Sequence, residues 1–267
     1  MTAALRAPPV LRVPGILSAA VLLAAVSLTG CGGGDGDGGT GADGRGGWSS
    51  TEAAVPDDFG CLTSEEAQAA SLTFKSADGS GTGACVPGGA SGGGTGAGIV
   101  LAHQSDGTAC HWKDKADELH RAGYRVLAVS SVGQEVSEIV GAAGYLRGKG
   151  AKKLLLMGAS REGTAVLTAA PAMWPQPDAV IALSAPTVYS AMNALDAVPK
   201  LTAPVLCMAA EYDESFGEDA KTLNKASTKA SEHKLVYVRG AGEHGVALLD
   251  SVKNWATVQA FFKKHGS

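Results

Sequence analysis

The chain has 267 residues, of which 45% are hydrophobic and 18% are charged, and this balance excludes an intrinsically disordered protein. Its 37 glycines are concentrated in two tracts, residues 30–47 and 79–98, without the G-X-Y period of collagen. The net charge of −4 disfavours nucleic acid as a partner, because phosphate binding needs clustered Lys and Arg. The length suits one large α/β domain or two small domains.

The N-terminus predicts an export signal. The first thirty residues contain two arginines and no acid, and residues 16–28 form a mostly apolar run. This run is shorter than the ~20 residues that span a bilayer and is typical of a signal peptide. It ends in LTGC at 28–31, which resembles the bacterial lipobox. The resemblance implies that residues 1–30 are a lipoprotein signal peptide and that Cys31 is lipidated; the alternative is an ordinary signal peptide with an incidental Cys.

A Gly-rich segment, residues 31–60, follows the predicted lipidation site. Gly/Asp/Thr sequence cannot bury apolar area, so it predicts a flexible tether in front of a domain at residues 61–267. We therefore expect an exported protein held on the outer face of a bacterial membrane, in the cell envelope, by its N-terminal lipid only.

The cysteines suggest an oxidising compartment. Without a lipidated Cys31 four remain, an even number, as expected for an exported protein. Cys61 and Cys85 lie in loop-like sequence and form a possible disulfide, whereas Cys207 lies in an apolar run and indicates a buried thiol. For Cys110 the sequence leaves open whether the residue forms a disulfide or is a free thiol. No C-x-x-C or H-E-x-x-H pattern occurs, so the sequence supports no zinc site, and we expect no metal and no cofactor.

From about residue 68 strand-like runs alternate with helical spacing. Strands are predicted at 71–75, 84–86, 98–102, 124–129, 153–157, 179–183, 205–209 and 235–238. Helices are predicted at 113–122, 136–146 and 164–172, and in a closing segment with an inner face of Leu248, Val252, Trp255 and Phe262. Strands that are apolar on both faces and alternate with helices indicate a parallel sheet covered on both sides.

Polar residues with catalytic potential follow three of these strands. Ser160 lies in the turn GASREG between a strand and a helix, which is the pattern of a nucleophile elbow, although a Ser that only caps a helix is common. Asp213 and His244 follow the last two strands, with Glu211 as an alternative acid. Because ligands bind beyond the carboxyl ends of parallel strands, these side chains are predicted to meet at one edge.

Four stretches carry a family resemblance: GIVLAHQSDG, GASREGTAVL, PVLCMAAEYDE and GAGEHGVALL. They resemble the α/β-hydrolase family, in particular its single-domain, dienelactone-hydrolase-like branch, over roughly residues 68–267. The resemblance implies an α/β-hydrolase fold, with a mostly parallel central sheet and helices on both faces. Only about twenty residues separate Leu183 from Pro204, so no large cap domain fits there. We expect an open site, lined by Tyr189, Met192 and Trp112.

The resemblance also assigns roles to individual residues. It implies that Ser160 is the nucleophile, Asp213 the orienting acid and His244 the base. It places the oxyanion hole at backbone N–H groups of Arg161 and of Ser105 or Gln104.

Two positions depart from the family pattern. Gln104 stands where the family usually has Gly, and Glu162 stands two places after the nucleophile, where a small residue is usual. Three interpretations of Glu162 are open. Its side chain points away and pairs with Arg161 or solvent; it tunes specificity toward a cationic or hydroxyl-rich substrate; or the site is degraded and the fold is kept for binding.

The function predicted first is a serine hydrolase that cleaves a small-molecule carboxylic ester through an acyl-enzyme at Ser160. The alternatives are a catalytically weakened or inactive surface lipoprotein of the same fold with a binding role, and a peptidase or thioesterase.

Overall fold

The computed structural model describes residues 56–89 and 96–267. The predicted signal peptide, Cys31 and most of the predicted tether lie outside the described residues. Within the described part, no helix combines the length and the apolar character that crossing a bilayer requires.

The described residues contain ten strands. They are β1 (Ser71–Lys75), β2 (Gly81–Cys85), β3 (Ala97–Ala102), β4 (Arg125–Ser130), β5 (Lys153–Ala159), β6 (Ala179–Leu183), β7 (Val188–Tyr189), β8 (Met192–Asn193), β9 (Val205–Ala210) and β10 (His233–Val238). The same residues contain seven α-helices. They are α1 (Ser64–Ala70), α2 (Lys113–Arg121), α3 (Glu135–Gly148), α4 (Arg161–Ala169), α5 (Ala194–Ala197), α6 (Phe216–Ala226) and α7 (Val252–Gly266).

Eight strands form one sheet in the order β1-β2-β4-β3-β5-β6-β9-β10. The six strands from β4 to β10 in this order are parallel to their neighbours, whereas β1 and β2 add an antiparallel edge. The predicted mostly parallel sheet is therefore confirmed. Between β6 and β9 the chain forms only the small β7–β8 hairpin, the short helix α5 and a 3₁₀ turn, so this part of the described chain contains no large cap domain.

Both faces of the sheet are buried, which explains why the strands are apolar throughout. Along β3, Ile99 and Leu101 pack on the side of α2 and α7, whereas Val100 and Ala102 pack on the side of α3, α4 and α6. With both faces covered by helices, the carboxyl ends of the parallel strands remain as an edge to which loops can bring polar groups.

The closing segment differs from its prediction. It consists of a 3₁₀ turn, Gly245–Asp250, followed by α7, and the two are separated at Ser251. This break changes the helical phase, so Val252 is 84% exposed and its predicted place on the inner face is wrong. The other predicted members of that face, Leu248, Trp255 and Phe262, are buried. Three helices, α1, α5 and α6, have no counterpart in the sequence prediction.

The described end of the predicted tether packs on the domain. Phe59 is buried, and its backbone carbonyl accepts a hydrogen bond of 2.9 Å from the Thr108 hydroxyl. Its ring also lies against Gly83 of β2, where an added Cβ would be 3.0 Å from the ring. Within residues 56–60, Phe59 therefore contributes to the core.

The disulfide joins Cys61 to Cys110, with 5.6 Å between their Cα atoms, so the predicted Cys61–Cys85 pair is wrong. Cys85 ends β2 and is paired in register with Ala128 of β4, which turns its thiol into the core. Cys110 instead lies in a 3₁₀ turn, Ala109–Trp112, close to the Phe59 segment. Cys207 is a buried free thiol, as the sequence predicts.

Thiol mapping checks this arrangement. Burial raises the pKa of the Cys85 thiol to about 11 and that of Cys207 to about 12, so neither should react with iodoacetamide in the folded protein. In urea without reductant, we expect peptide mass spectrometry to find both of them alkylated, and Cys61 and Cys110 alkylated only after reduction. Alkylation of unreduced Cys110, with Cys85 protected, would contradict the pairing.

Candidate active site

Ser160 occupies a strained turn between β5 and α4. Its backbone has φ 53° and ψ −123°, in the positive-φ region that non-glycine residues rarely adopt. The turn is fixed because the Ser160 N–H donates to the carbonyl of Leu183 at 2.7 Å and the Thr164 N–H donates to the Ser160 carbonyl at 3.2 Å. The backbone at Ser160 therefore has the sharp strand-to-helix turn that the sequence predicts.

Two glycines permit this turn. A Cβ on Gly158 would lie 2.2 Å from the carbonyl oxygen of Glu162, and one on Gly163 would lie 2.8 Å from the Cβ of Ala185. Any larger residue at Gly158 would separate the strand end from the first turn of α4. The flanking glycines of the GASREG motif are thus explained by packing around Ser160.

Asp213 and His244 meet at the same edge of the sheet. The Nδ1 atom of His244 lies 2.9 Å from Oδ1 and 3.0 Å from Oδ2 of Asp213. A carboxylate only accepts hydrogen bonds, so in the neutral ring Nδ1 carries the proton and Nε2 presents a lone pair. The ring of Phe216 packs against the imidazole, with 4.6 Å between ring centroids. This is the tautomer and the restraint that a general base requires.

Ser184 is a site residue that the sequence analysis missed. It follows β6 directly and is fully buried. Its hydroxyl donates to Oδ2 of Asp213 at 2.6 Å and accepts the N–H of Gly245 at 3.0 Å. Its position immediately after a strand, like that of Ser160, was the available signal. The alternative acid, Glu211, instead accepts a hydrogen bond of 2.8 Å from the N–H of Gly240.

Ser160 and His244 lie in adjoining segments. A Cβ on Gly245 would be 3.5 Å from the Cβ of Ala159, so the loop of the histidine abuts the end of β5. Among the described residues, no hydrogen bond joins the Ser160 hydroxyl to His244. A hydrogen bond between a nucleophile and its base often forms only when substrate is bound.

The predicted oxyanion donors lie in two segments. As the first residue of α4, Arg161 has no acceptor for its N–H within the helix. The side chain of Gln104 is engaged elsewhere, because its Oε1 accepts the N–H of Val246 at 3.1 Å. Gln104 thereby links the loop after β3 to the loop of the histidine, and only its backbone N–H, or that of the exposed Ser105, is available as a second donor.

His103 braces the same loop from inside. Its Nε2 accepts the N–H of Ser131 at 3.0 Å, so Nδ1 carries the proton and donates to the Gln104 carbonyl at 2.6 Å. Burial lowers the pKa of His103, which favours this neutral form.

Glu162 is buried and paired with a cation. It is only 1% exposed, and its Oε1 lies 3.0 Å from Nη2 of Arg161. The same guanidinium places its Nε 3.2 Å from a carboxylate oxygen of Glu135, at the start of α3. Burial raises the pKa of Glu162 to about 7, Arg161 lowers it, and Glu135 and Glu138 raise it further. Of the three interpretations, pairing with Arg161 is the one that the contacts support.

Two depressions lie at the carboxyl edge. One, of about 540 Å³, is lined by Tyr212, Asp213, Glu214, Phe216, Gly242 and His244. Another, of about 550 Å³, lies between the start of α3 and the β7–β8 hairpin and includes Glu135, Tyr189 and Met192 in its wall. Trp112 is fully buried in the core, so its predicted place in the lining of the site is wrong. Within residues 56–89 and 96–267, no three His, Cys, Asp or Glu side chains are grouped to hold a metal ion.

No protein-family model matches the chain, and no curated protein matches it. Many solved structures, however, are similar to this chain. An esterase from Pyrococcus furiosus superposes with a TM-score of 0.63 at 13% identity, over 74% of this chain and 91% of the esterase. An esterase from Rhodococcus gives a TM-score of 0.58 at 14% identity, over 74% and 100%. A dienelactone hydrolase from Anabaena variabilis gives a TM-score of 0.54 at 20% identity, over 74% of this chain and 99% of the hydrolase.

The chain has the α/β-hydrolase fold. The predicted fold class is thereby confirmed, including the mostly parallel sheet and the helices on both of its faces. At these identities the likeness establishes the fold alone and assigns no role to Ser160, Asp213 or His244.

The buried carboxyl of Glu162 predicts a pH-dependent free energy of unfolding. Its pKa is raised from 4.5 to about 7, so between these values the folded state keeps a proton that the unfolded state has released. The stability contributed by this group is therefore complete below pH 4.5, declines as the pH rises to 7 and is lost above it. At about 1.4 kcal/mol per pH unit, the loss approaches roughly 3 kcal/mol.

Urea unfolding of Glu162→Gln measures this contribution. Between pH 5 and pH 8 we expect the free energy of unfolding of the variant to gain about 2 kcal/mol relative to the native chain, because the amide does not titrate. Glu65→Gln, an exposed position on α1, is the matched control and should follow the native chain. Parallel pH profiles for Glu162→Gln and the native chain would refute the prediction.

Proposed function

We propose that this protein is a serine hydrolase that cleaves small-molecule carboxylic esters through an acyl-enzyme at Ser160. The observation that carries the proposal is the hydrogen bond between Asp213 and Nδ1 of His244, formed at the edge where Ser160 occupies a positive-φ elbow. The esterases and dienelactone hydrolases among structures of the same fold support the choice of ester substrates.

In the proposed reaction, Nε2 of His244 accepts the proton of the Ser160 hydroxyl while Oγ attacks the ester carbonyl. Asp213 accepts the Nδ1–H of the imidazole and stabilises the imidazolium that forms. The carbonyl oxygen becomes an oxyanion that accepts hydrogen bonds from Arg161 N–H and from a backbone N–H at Gln104 or Ser105. The imidazolium then protonates the leaving alcohol as the ester C–O bond breaks, which leaves the acyl group on Oγ. Water attacks this acyl-enzyme with His244 as base, and the imidazolium returns the proton to Oγ of Ser160 as the acyl–Oγ bond breaks and the acid leaves.

The proposal includes a location. A lipid on Cys31 would hold the protein at the outer face of a bacterial membrane, with residues 32–55 as the tether. Support comes from the LTGC sequence at the end of an apolar run and from a disulfide in the domain, since disulfides form in oxidising compartments. Phe59 already packs on the domain, so the free length of the proposed tether is shorter than the sequence predicts.

Two observations favour a second function, that of a binding protein with a weakened site. A carboxyl group is buried at Glu162, two residues after Ser160, and Ser160 is not hydrogen bonded to His244 in the described chain. A negative charge on a residue this near the nucleophile in the chain opposes formation of an oxyanion unless Arg161 compensates for the charge.

Fluorophosphonate labelling distinguishes the two functions. We expect one phosphonyl group on a peptide that contains Ser160, and none in Ser160→Ala, because only an activated serine attacks the probe at a useful rate. Ser190→Ala, an exposed serine of the β7–β8 hairpin, is the control for loss of a hydroxyl group. A folded native protein that is not labelled would exclude the hydrolase and favour the binding protein. A panel of p-nitrophenyl esters of increasing acyl length then measures the acyl preference.

The lipid anchor has its own test. In bacterial cells that process lipoproteins, we expect the full chain to partition into the detergent phase of a Triton X-114 extract, with a diacylglyceryl group on Cys31. Cys31→Ser should remain in the aqueous phase or keep its signal peptide. A native chain whose Cys31 carries no diacylglyceryl group would contradict the proposed anchor without affecting the proposed chemistry.

A further inference from the structure

The side chain of Arg161 has two acidic partners that no step of the proposed reaction uses. Its Nη2 lies 3.0 Å from Oε1 of Glu162, and its Nε lies 3.2 Å from Oε1 of Glu135. Arg161 and Glu135 are each 17% exposed, and Glu162 is buried. We call these three residues the arginine clamp. It connects the first turn of α4 to the first turn of α3, two helices on the same face of the sheet.

We propose that Glu135 and Glu162 are positioning residues that act through Arg161, fixing the backbone N–H that would bind the oxyanion. The inference rests on the proposed function, because it assigns a role in that reaction. Arg161 directly follows the strained Ser160, so its side chain is the nearest one C-terminal to the elbow that can be held from outside the turn.

The geometry of the clamp suits this role. A guanidinium is planar and carries its N–H donors in a fixed fork, so two carboxylates on different sides restrict both its rotation and its translation. One carboxylate belongs to the same turn as Arg161, and the other belongs to a different helix. The pair with Glu162 therefore sets the side-chain rotamer, whereas the pair with Glu135 holds the end of α4 in place against α3.

The charged groups around Glu162 include one cation, the guanidinium of Arg161. Glu138 is also fully buried on α3, but it accepts hydrogen bonds from the N–H of Val132 and from the Ser131 hydroxyl, and it does not pair with Arg161. The charged or titratable groups that act on Glu162 are Arg161, Glu135 and Glu138. Arg161 is thus the only cation among these groups, and it offsets the negative charge of Glu162 close to the proposed oxyanion hole.

The clamp makes a quantitative prediction for turnover. An oxyanion donor that is lost costs about 10²–10³ in kcat, and a shift of about 1 Å costs up to about 10². We expect Arg161→Met to lower kcat on p-nitrophenyl acetate by about 10², with KM changed less than about threefold, because the ground-state ester does not depend on the oxyanion hole. Glu135→Gln should lower kcat by about tenfold, a smaller loss than that of Arg161→Met, because the pair of Arg161 with Glu162 remains.

A double-variant cycle separates the clamp from general destabilisation. If Glu135 acts through Arg161, Glu135→Gln should have little further effect in the Arg161→Met background. Arg161→Lys keeps the charge but lacks the fork, so it should restore only part of the lost kcat. Lys153→Met is the matched control, because it breaks the ion pair with Asp178 at the opposite end of β5. Its kcat should equal that of the native chain.

Amide hydrogen exchange tests the clamp independently of turnover. We expect exchange in residues 164–168, whose N–H groups donate to the Ser160 carbonyl and to the carbonyls of the first turn of α4, to be at least severalfold faster in Arg161→Met and Glu135→Gln than in the native chain and in Lys153→Met. If the native chain neither hydrolyses the ester nor labels at Ser160, the proposed function fails, while faster exchange still supports the clamp. If the native chain is active and Arg161→Met retains its kcat and its exchange rates, the clamp proposal is overturned and the proposed function stands.

Discussion

The close approach of β5 to α4 is the constraint on which the candidate site depends. A strand that ends at Ala159 and a helix that begins at Arg161 leave a single residue for the turn, and that residue adopts φ 53°. Such strain persists only where surrounding contacts fix the backbone. Here Gly158 lets the strand contact the carbonyl of Glu162, and Gly163 lets the helix contact Ala185. The position of the proposed nucleophile is therefore a consequence of packing.

The other half of the site depends on one buried carboxylate shared by three strand ends. Asp213 follows β9, accepts the hydroxyl of Ser184 after β6 and pairs with His244 after β10. Ser184 also accepts the N–H of Gly245, which closes a ring of hydrogen bonds between the three loops. Because each bond in such a buried network satisfies a group that would otherwise lack a partner, the three loops position one another.

The sequence predicted what depends on local pattern and on chain order. The parallel strands follow from continuous apolar runs, and Asp213 and His244 follow from their places after β9 and β10. Contacts between residues that are far apart in the sequence were harder to predict. Cys85 is turned into the core by its register with β4, and Val252 is turned outward by the break at Ser251. Neither effect has a signature in neighbouring residues. The pairing of Arg161 with Glu162 was among the interpretations open from the sequence, whereas the contact of Arg161 with Glu135 was hidden, because α3 ends more than a dozen residues before Arg161.

The disulfide between Cys61 and Cys110 has a mechanical consequence. Tension applied to the chain on the N-terminal side of residue 61 passes through a covalent bond into the 3₁₀ turn at Ala109–Trp112, whose Trp112 is fully buried. The force therefore reaches the interior of the domain without first detaching α1, or β1 at the edge of the sheet. The disulfide thus protects the antiparallel edge strand β1 from force applied on the N-terminal side of residue 61.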